Sequence, residues 1–569
     1  MPPVEIWLAD EYRIPLPSLE TSVGLEPRRV QLAAWTLLEG GAVKPEQVRR
    51  PVPIDFEDVL RVHETQYVES LQRPDVLARI FGVEPTEVPV EPLLRMVRLA
   101  TGGTLQAARS SIARRGHALN LCGGFHHAAP ARGAGFCALN DIAIAIAALR
   151  AEGFGGRVAV LDFDAHPPDG TAECLAGDPH TWIGSISGTH WQELPGVDEV
   201  VLPRGAGDGQ YLSVLRALLR RMPAPGLAFV IAGADVLERD RLGDLGLSLR
   251  GARARDRLVA RALRGVPAVW LPGGGYHPDA WRVLTGTALV LAGRGHSPIP
   301  RGYDPLGARL TATARDLSLE RLTGELEFGS ADVDADLRRC SSETPRLLGY
   351  YTASGLEYAL HQHGILGQVR RLGYEDLQVE LDSVDTGDRF RLFGRAETTR
   401  HLLIEMVVER RRIDPHAFLF VNWLTLRNPR AQFSPSRPKL PGQEVPGLGL
   451  GREASALLGL MADRLELEGV LFRPAWYHLA YAGRTRFAFR DPERQGRFEA
   501  LQRDSSGMPL LEVTRAVAEG GALLNDRPYA WEPTDFVHWR QSRSPDPEWT
   551  ARMRAEHDRV RFTFRPPGS

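Results

Sequence analysis

Between residues 118 and 275 four apolar runs each stop abruptly in a polar or glycine-rich signature, and helical patterns separate them. The runs are "ALNLCGG" (118–124), "GRVAVLDFD" (156–164), "GLAFVIAGAD" (226–235) and "VPAVWLPGGG" (266–275). They lead into "CGGFHHA", "DFDAHPPDG", "GADVLERDRLG" and "PGGGYH". The alanine-rich "LNDIAIAIAALRAEG" (139–153) predicts a helix that ends at a glycine. Continuous apolar strands alternating with helices predict an α/β fold whose parallel sheet is covered on both faces. Such a sheet places its ligand site beyond the carboxyl ends of the strands. The same four segments therefore predict both the fold and the edge on which chemistry is carried.

At 569 residues the chain exceeds what one hydrophobic core usually supports. Residues 1–300 are expected as the first domain and 301–345 as a linker, within which "GSADVDADLRRCSSETP" (329–345) is polar, charged and ended by proline. A separate α+β domain is expected over 346–569, with a helix at 347–372 and strands in "DLQVELDSV", "RFRLFG", "HLLIEMVVERR" and "AFLFVNWLTLR". The helix "REASALLGLMADRLE" and the strand-like "EGVLFRP" and "RTRFAFRD" follow.

Composition excludes several classes. A net charge of -2 gives no electrostatic reason to expect nucleic acid or an anionic membrane as partner. The basic "ERRRI" (409–413) reads as a solvated strand end. No run reaches the roughly 18 apolar residues of a membrane span, and the N-terminal stretch lacks the pattern of a secretory signal. Cys122, Cys137, Cys174 and Cys340 form no CxxC pair, which argues against a cysteine zinc site or a disulfide scaffold. A reduced, cytoplasmic protein is expected.

Asp164 and His166 stand two apart at a strand end, where residues i and i+2 face one side. Asp235, at the mouth of another strand, is the third candidate for a catalytic metal site of three protein ligands. Each aspartate alone fits a turn or helix cap equally well. The tandem His126 and His127 at a further strand mouth favours the metal reading, because two imidazoles there can exchange a proton with a water near neutral pH. Asp162 and Asp169 are placed to accept hydrogen bonds from these histidines. Tyr276, after three glycines, can bring a phenol to a carbonyl and stabilise a developing oxyanion.

Together "TGGTLQAA", "GGFHHAAPARGAGFCALNDIAIA", "VLDFDAHPPDGT", "AGADVLERDRLGDLGLS" and "PGGGYH" resemble the zinc-dependent histone deacetylase superfamily in its bacterial branch, over residues 1 to about 295. The resemblance implies an arginase/deacetylase-like parallel sheet flanked by helices, and hydrolysis of an acetylated lysine or small acetylated amine to amine and acetate. It implies Zn2+ on Asp164, His166 and Asp235, His127 as general base and then acid, His126 as its electrostatic partner, and Tyr276 polarising the carbonyl. Asp162 and Asp169 would pair with the histidines, and Phe136, Gly135 and Gly274 would meet the substrate. A structural K+ near Asp162 and Ser185 is also implied. Dimanganese ureohydrolases of the same fold carry a second-metal carboxylate two residues after the histidine, where this chain has Pro168, so a single metal is favoured. The chain departs from the family at Pro167-Pro168, where histidine-glycine is usual.

In the C-terminal half, strand, glycine loop "PGQEVPGLGLG", helix and strand follow in an order similar to the acetyl-coenzyme A-binding half of the GNAT acyltransferases, although Gln443 stands four residues before Gly447 and not three. That likeness implies acetyl-CoA as a ligand; glycines that merely close a turn explain the loop as well. The expected function is a zinc amidohydrolase, and the alternative is a weakly catalytic acyl-ligand binding or regulatory module fused to an acyltransferase-like domain.

Overall fold

The computed structural model describes residues 2–300, 302–324, 345–434, 437–540 and 546–565. The chain forms two compact units, Met1–Leu306 and Gly307–Ser569.

The first unit is built on eight strands: β1 (Glu5–Trp7), β2 (Val48–Arg49), β3 (His117–Asn120), β4 (Val158–Asp162), β5 (Thr181–Ser187), β6 (Val197–Val201), β7 (Leu227–Ile231) and β8 (Ala268–Leu271). They lie in the order β2-β1-β3-β8-β7-β4-β5-β6, and every pairing is parallel. This is the arginase/deacetylase-like architecture that the sequence resemblance implies. The central strands β3, β8, β7 and β4 are buried along their whole length, as strands covered by helices on both faces must be. Helices α1 (Val90–Arg114), α2 (Asp141–Ala151) and α3 (Asp169–Leu175) pack on one face of them, and further helices cover the other. Asn140 caps α2 by accepting from the Ala143 N–H, and Glu152 ends it just before Gly153, at a φ of 94°, turns the chain.

The four central strands are the four apolar runs of the sequence, and they are contiguous in the sheet. Their carboxyl ends therefore bring residues 122–127, 272–276, 232–235 and 163–169 to one edge. Apolar alternation over these runs did not reveal β1, β2, β5 or β6.

The second unit contains a seven-stranded sheet. Its strands are β9 (Glu375–Val384), β10 (Gly387–Ala396), β11 (Thr399–Ile413), β12 (His416–Leu426), β13 (Gly469–Phe472), β14 (Ala488–Phe489) and β17 (Phe536–Trp539), ordered β14-β17-β13-β12-β11-β10-β9. A second sheet of three strands, β15 (Ala522–Leu524), β16 (Arg527–Pro528) and β18 (Phe562–Phe564), accompanies it. Two departures from expectation have local causes. Helix α4 (Pro305–Arg315) and the short helix Leu319–Thr323 occupy part of the stretch read as linker, whose residues 325–344, Cys340 included, lie outside the described residues. The single helix expected over 347–372 is split into α5 (Ala353–Gln362) and a second helix from Ile365, because Gly364 takes a left-handed φ of 74°. The expected strand, helix and strand are β12, α6 (Gly451–Arg464) and β13, the glycine-rich residues 441–450 lead into α6, and β12 and β13 pair in parallel. The strand read in "RTRFAFRD" is confined to Ala488–Phe489.

Cys122, Cys137 and Cys174 are free thiols. Among the described residues no helix is long and apolar enough to cross a membrane.

Candidate metal centre and its histidine pair

The chain leaves β4 at Asp162 and bends. Asp164 and His166 thus lie beyond the last paired residue, and hydrogen bonding holds them together, not the strand alternation expected from the sequence. His166 directs its backbone N–H and its ring Nδ1 to the same Asp164 Oδ1, at 3.1 and 3.0 Å. Its Nδ1 also lies 3.1 Å from Asp235 Oδ2, delivered from the end of the adjacent strand β7. Asp235 is fixed in turn by the Ala165 N–H on Oδ1 (3.0 Å), and Asp164 by the Gly274 N–H on Oδ2 (2.6 Å). Gly274 therefore lies against the two carboxylates; an added Cβ would come within 2.6 Å of Asp235 Oδ2 and 2.8 Å of Asp164 Oδ2.

These three residues form the cluster of metal-ligating type found among the described residues, with donor atoms all within 4.8 Å of one another. Donors roughly 2 Å from one tetrahedral ion stand about 3.3 Å apart, so the donor set fits a single divalent ion such as zinc. The electrostatics agree with that fit. Against the cost of burial, hydrogen bonds to Asp164 and Asp235 push His166 up to about 11. Burial, and then the charge of Asp164, raises the Asp235 carboxyl. Two buried carboxylates facing each other call for positive charge between them.

His126 and His127 follow β3, which lies three places from β4 in the sheet. Their loop crosses above β8 and β7 to reach the cluster. Gly124 makes that crossing possible: its φ is 82°, and a Cβ there would stand 3.1 Å from Gly273 N and 3.3 Å from Ile231 Cγ2. The loop is bolted down by Asp141, whose fully buried carboxylate accepts from Phe125 N (2.8 Å), Gly124 N (3.0 Å) and Thr104 Oγ1 (2.7 Å). Asp141→Ala would leave the Gly124 and Phe125 N–H groups without this acceptor, while Thr104 keeps the Ala100 carbonyl, at a cost of about 2–4 kcal/mol. Chemical denaturation is expected to show that loss, and an unchanged midpoint would mean the loop is held by other contacts.

The two imidazole rings lie 4.0 Å apart and each is oriented by its own carboxylate. His126 Nδ1 is 2.8 Å from Asp162 Oδ2, and His127 Nδ1 is 2.7 Å from Asp169 Oδ1. The environments of the rings differ. Despite burial, Asp162 and Asp164 push His126 up to about 9, whereas burial and then the neighbouring His126 hold His127 below the ordinary imidazole value. Asp169 opens α3, with Pro168 at the cap position and the Asp169 N–H on Pro167 O at 2.9 Å. The two prolines thus form a tight turn that still delivers Asp169 to His127.

Tyr276 is 8% exposed, and its backbone N–H donates to Asp240 Oδ2 at 2.7 Å. Burial and the nearby Asp164 and Asp235 keep its phenol protonated, well above its usual range. Its ring stands 5.5 Å from that of Phe136, itself at a φ of 66°. Gly135, at a φ of 52°, is pressed against His127; a Cβ there would fall 2.4 Å from His127 Cδ2. Ser185 stands beside Asp162 in the β4–β5 register, and its buried Oγ has no hydrogen-bond partner.

Two residues at this site escape sequence reasoning. Trp191, half exposed, places its ring 5.1 Å from His127 and 5.8 Å from His166. Asp240 holds Tyr276 while accepting from Leu242 N and Gly243 N. Trp191 lies in the loop after β5, a strand that the apolar runs did not disclose, so no sequence signal marks it.

Comparison with known proteins places the same segment in context. Residues 24–290 match the model of the histone deacetylase domain. An uncharacterized protein of Picosynechococcus is 33% identical over 285 residues, 47% of this chain and 88% of that one. Histone deacetylase 2 of Arabidopsis thaliana is 32% identical over 46% of this chain and 71% of its own length. A probable deacetylase of Archaeoglobus fulgidus is 31% identical over 53% of this chain and 90% of its own.

Proposed function

Because the chain belongs to the histone deacetylase family, we propose that its first unit is a zinc-dependent amidohydrolase that removes acetyl groups from protein lysine or from small acetylated amines. The observation that carries this reading is the convergence, at one sheet edge, of the Asp164, His166 and Asp235 donor set with two histidine–aspartate pairs. Zinc held by those three residues supplies Lewis acidity toward the acetyl carbonyl and toward water. His127, its Nδ1–H donated to Asp169, presents Nε2 to take a proton from the attacking water. The same nitrogen returns that proton to the leaving amine as the C–N bond breaks and acetate forms. His126, tied to Asp162, adds positive charge beside the reacting centre. The Tyr276 hydroxyl donates to the developing oxyanion, and Phe136 and Trp191 wall the approach for an extended acylated side chain. The unpartnered Ser185 Oγ beside Asp162 supports a structural potassium ion there.

Acetate release from acetyl-lysine peptides, acetylpolyamines and small N-acetyl amides tests the reading and names the substrate class, with Tyr276→Phe as the blank. Zinc bound without turnover on any of them would favour the acyl-ligand binding module instead. Gly135→Ala supplies a finer check. Its Cβ would displace the His127 ring, so turnover is expected to fall roughly a hundred-fold with zinc content unchanged. Full activity would mean that His127 does not need its present position.

A second reading concerns Gly307–Ser569. The parallel β12–β13 pair, joined through a glycine-rich loop and α6, supports acetyl-CoA as a ligand of that unit. Protection against heat by acetyl-CoA is the expected result, and its absence would dismiss the reading.

A further inference from the structure

Within Gly307–Ser569 a cavity of about 120 Å³ lies between one face of the seven-stranded sheet and helices α5 and α6. Phe390, Ile404 and Met406 line it from the sheet, and Leu356, Leu457 and Met461 line it from the helices. An interior packed to ordinary density leaves few spaces of this size. The lining is mostly carbon; its polar residues are Glu453 and, near enough for the arginine charge to act on the imidazole, His363 and Arg464.

The His363 and Arg464 end has an unusual chemistry. The Nδ1 of His363 is shut off from solvent and has no hydrogen-bond partner, a state few buried polar nitrogens tolerate. Burial, then the charges of Arg464 and Arg309, keeps this imidazole neutral at ordinary pH. Arg464 donates to the Ala314 carbonyl at 2.6 Å, and no carboxylate pairs with it among the described residues. Glu453, the acidic residue of the lining, stands eleven residues earlier on α6, about 16 Å away at the rise of an α-helix. The cavity therefore has a cationic, hydrogen-bonding end and an apolar body.

We propose that this cavity binds a short-chain monocarboxylate of about four to six carbons, its tail among the apolar side chains and its carboxyl group at His363 and Arg464. The length follows from the volume, since an apolar cavity of roughly 150 Å³ holds a six-carbon ring. The carboxylate follows from the guanidinium, whose planar fork matches it, and from the neutral imidazole, whose nitrogen supplies a further hydrogen bond. The site does not depend on the deacetylase chemistry of the first unit.

Calorimetric titration of the full-length protein with hexanoate, 1-hexanol and acetate tests the assignment. One hexanoate per chain is expected, with 1-hexanol and acetate at least about ten-fold weaker, a difference of one tenfold step in affinity. Ala454→Phe, which fills the cavity from α6, is expected to abolish hexanoate binding and leave acetate release by the first unit unchanged. Arg464→Gln is expected to equalise hexanoate and 1-hexanol. Its lost bond to Ala314 makes misfolding a separate outcome, so the wild-type comparison of the two ligands and the Ala454→Phe variant decide the matter. No hexanoate binding to the folded wild type, equal binding of 1-hexanol, or hexanoate binding that survives Ala454→Phe would each overturn the proposal.

Discussion

Asp235→Ala is expected to hold no stoichiometric zinc and to release no acetate above background. The carboxylate is wholly buried, and only Asp164 and His166 would remain to hold the ion. Two donors do not complete the three-ligand set that a catalytic zinc site requires. The substitution also removes one of two carboxylates that oppose each other in a buried space, so the metal-free protein is not expected to unfold. Asp235→Asn sharpens the test, because its amide oxygen can still accept from Ala165 N while the charge is gone. Elemental analysis beside a thermal melt reads both effects. Stoichiometric zinc in either variant would remove Asp235 from the donor set, and with it the present assignment of the site.

Tyr276→Phe is expected to bind zinc normally, to keep KM close to the wild-type value and to lose roughly a hundred- to a thousand-fold in kcat. The structure makes this a clean deletion. The ring keeps its contact with Phe136, and the backbone N–H keeps its bond to Asp240, since neither involves the hydroxyl. On the proposed reading only a donor to the developing oxyanion is lost, and such a donor acts mainly in the transition state. An unchanged kcat would mean that the Tyr276 hydroxyl does not touch the reacting carbonyl, and an increase in KM alone would make it a substrate-binding group.

The parts of this molecule legible in its sequence are those where a change of residue type coincides with a change of role. Each central strand is a mainly apolar run that leads within a few residues into Asp, His or Gly, so the strand and its polar tip mark each other. That pattern singles out Asp164, His166, Asp235, His126, His127 and Tyr276 as candidates, and the structure brings them to one edge. The strands β1 and β2 have three residues and two, too few for a period to register, and the edge strand β6 is only partly buried. Trp191 sits in a loop with no periodicity, and only its distance from two imidazoles identifies it. In the second unit the long antiparallel strands announce themselves by alternation. The break between α5 and the helix that follows depends on the backbone of one glycine, which hydrophobic pattern does not report. The cavity beside α6 was illegible for a different reason: its walls come from segments far apart in the chain, and each alone reads as ordinary core.

The position of β8 bears on how this chain is made. β8 is the last of the eight strands in sequence, yet it lies between β3 and β7 and is the only neighbour joining them. Until Leu271 has emerged during synthesis, the strands already made can pair only within two blocks, β2-β1-β3 and β7-β4-β5-β6, each with an unpaired inner edge. His126 and His127 hang from the first block and Asp164, His166 and Asp235 from the second, so the growing chain carries two halves of a site that have not met. An open parallel edge held through the making of about half a domain is a pairing surface for any other strand nearby. In this molecule the strand that joins the two halves of the site is also the one that closes both edges.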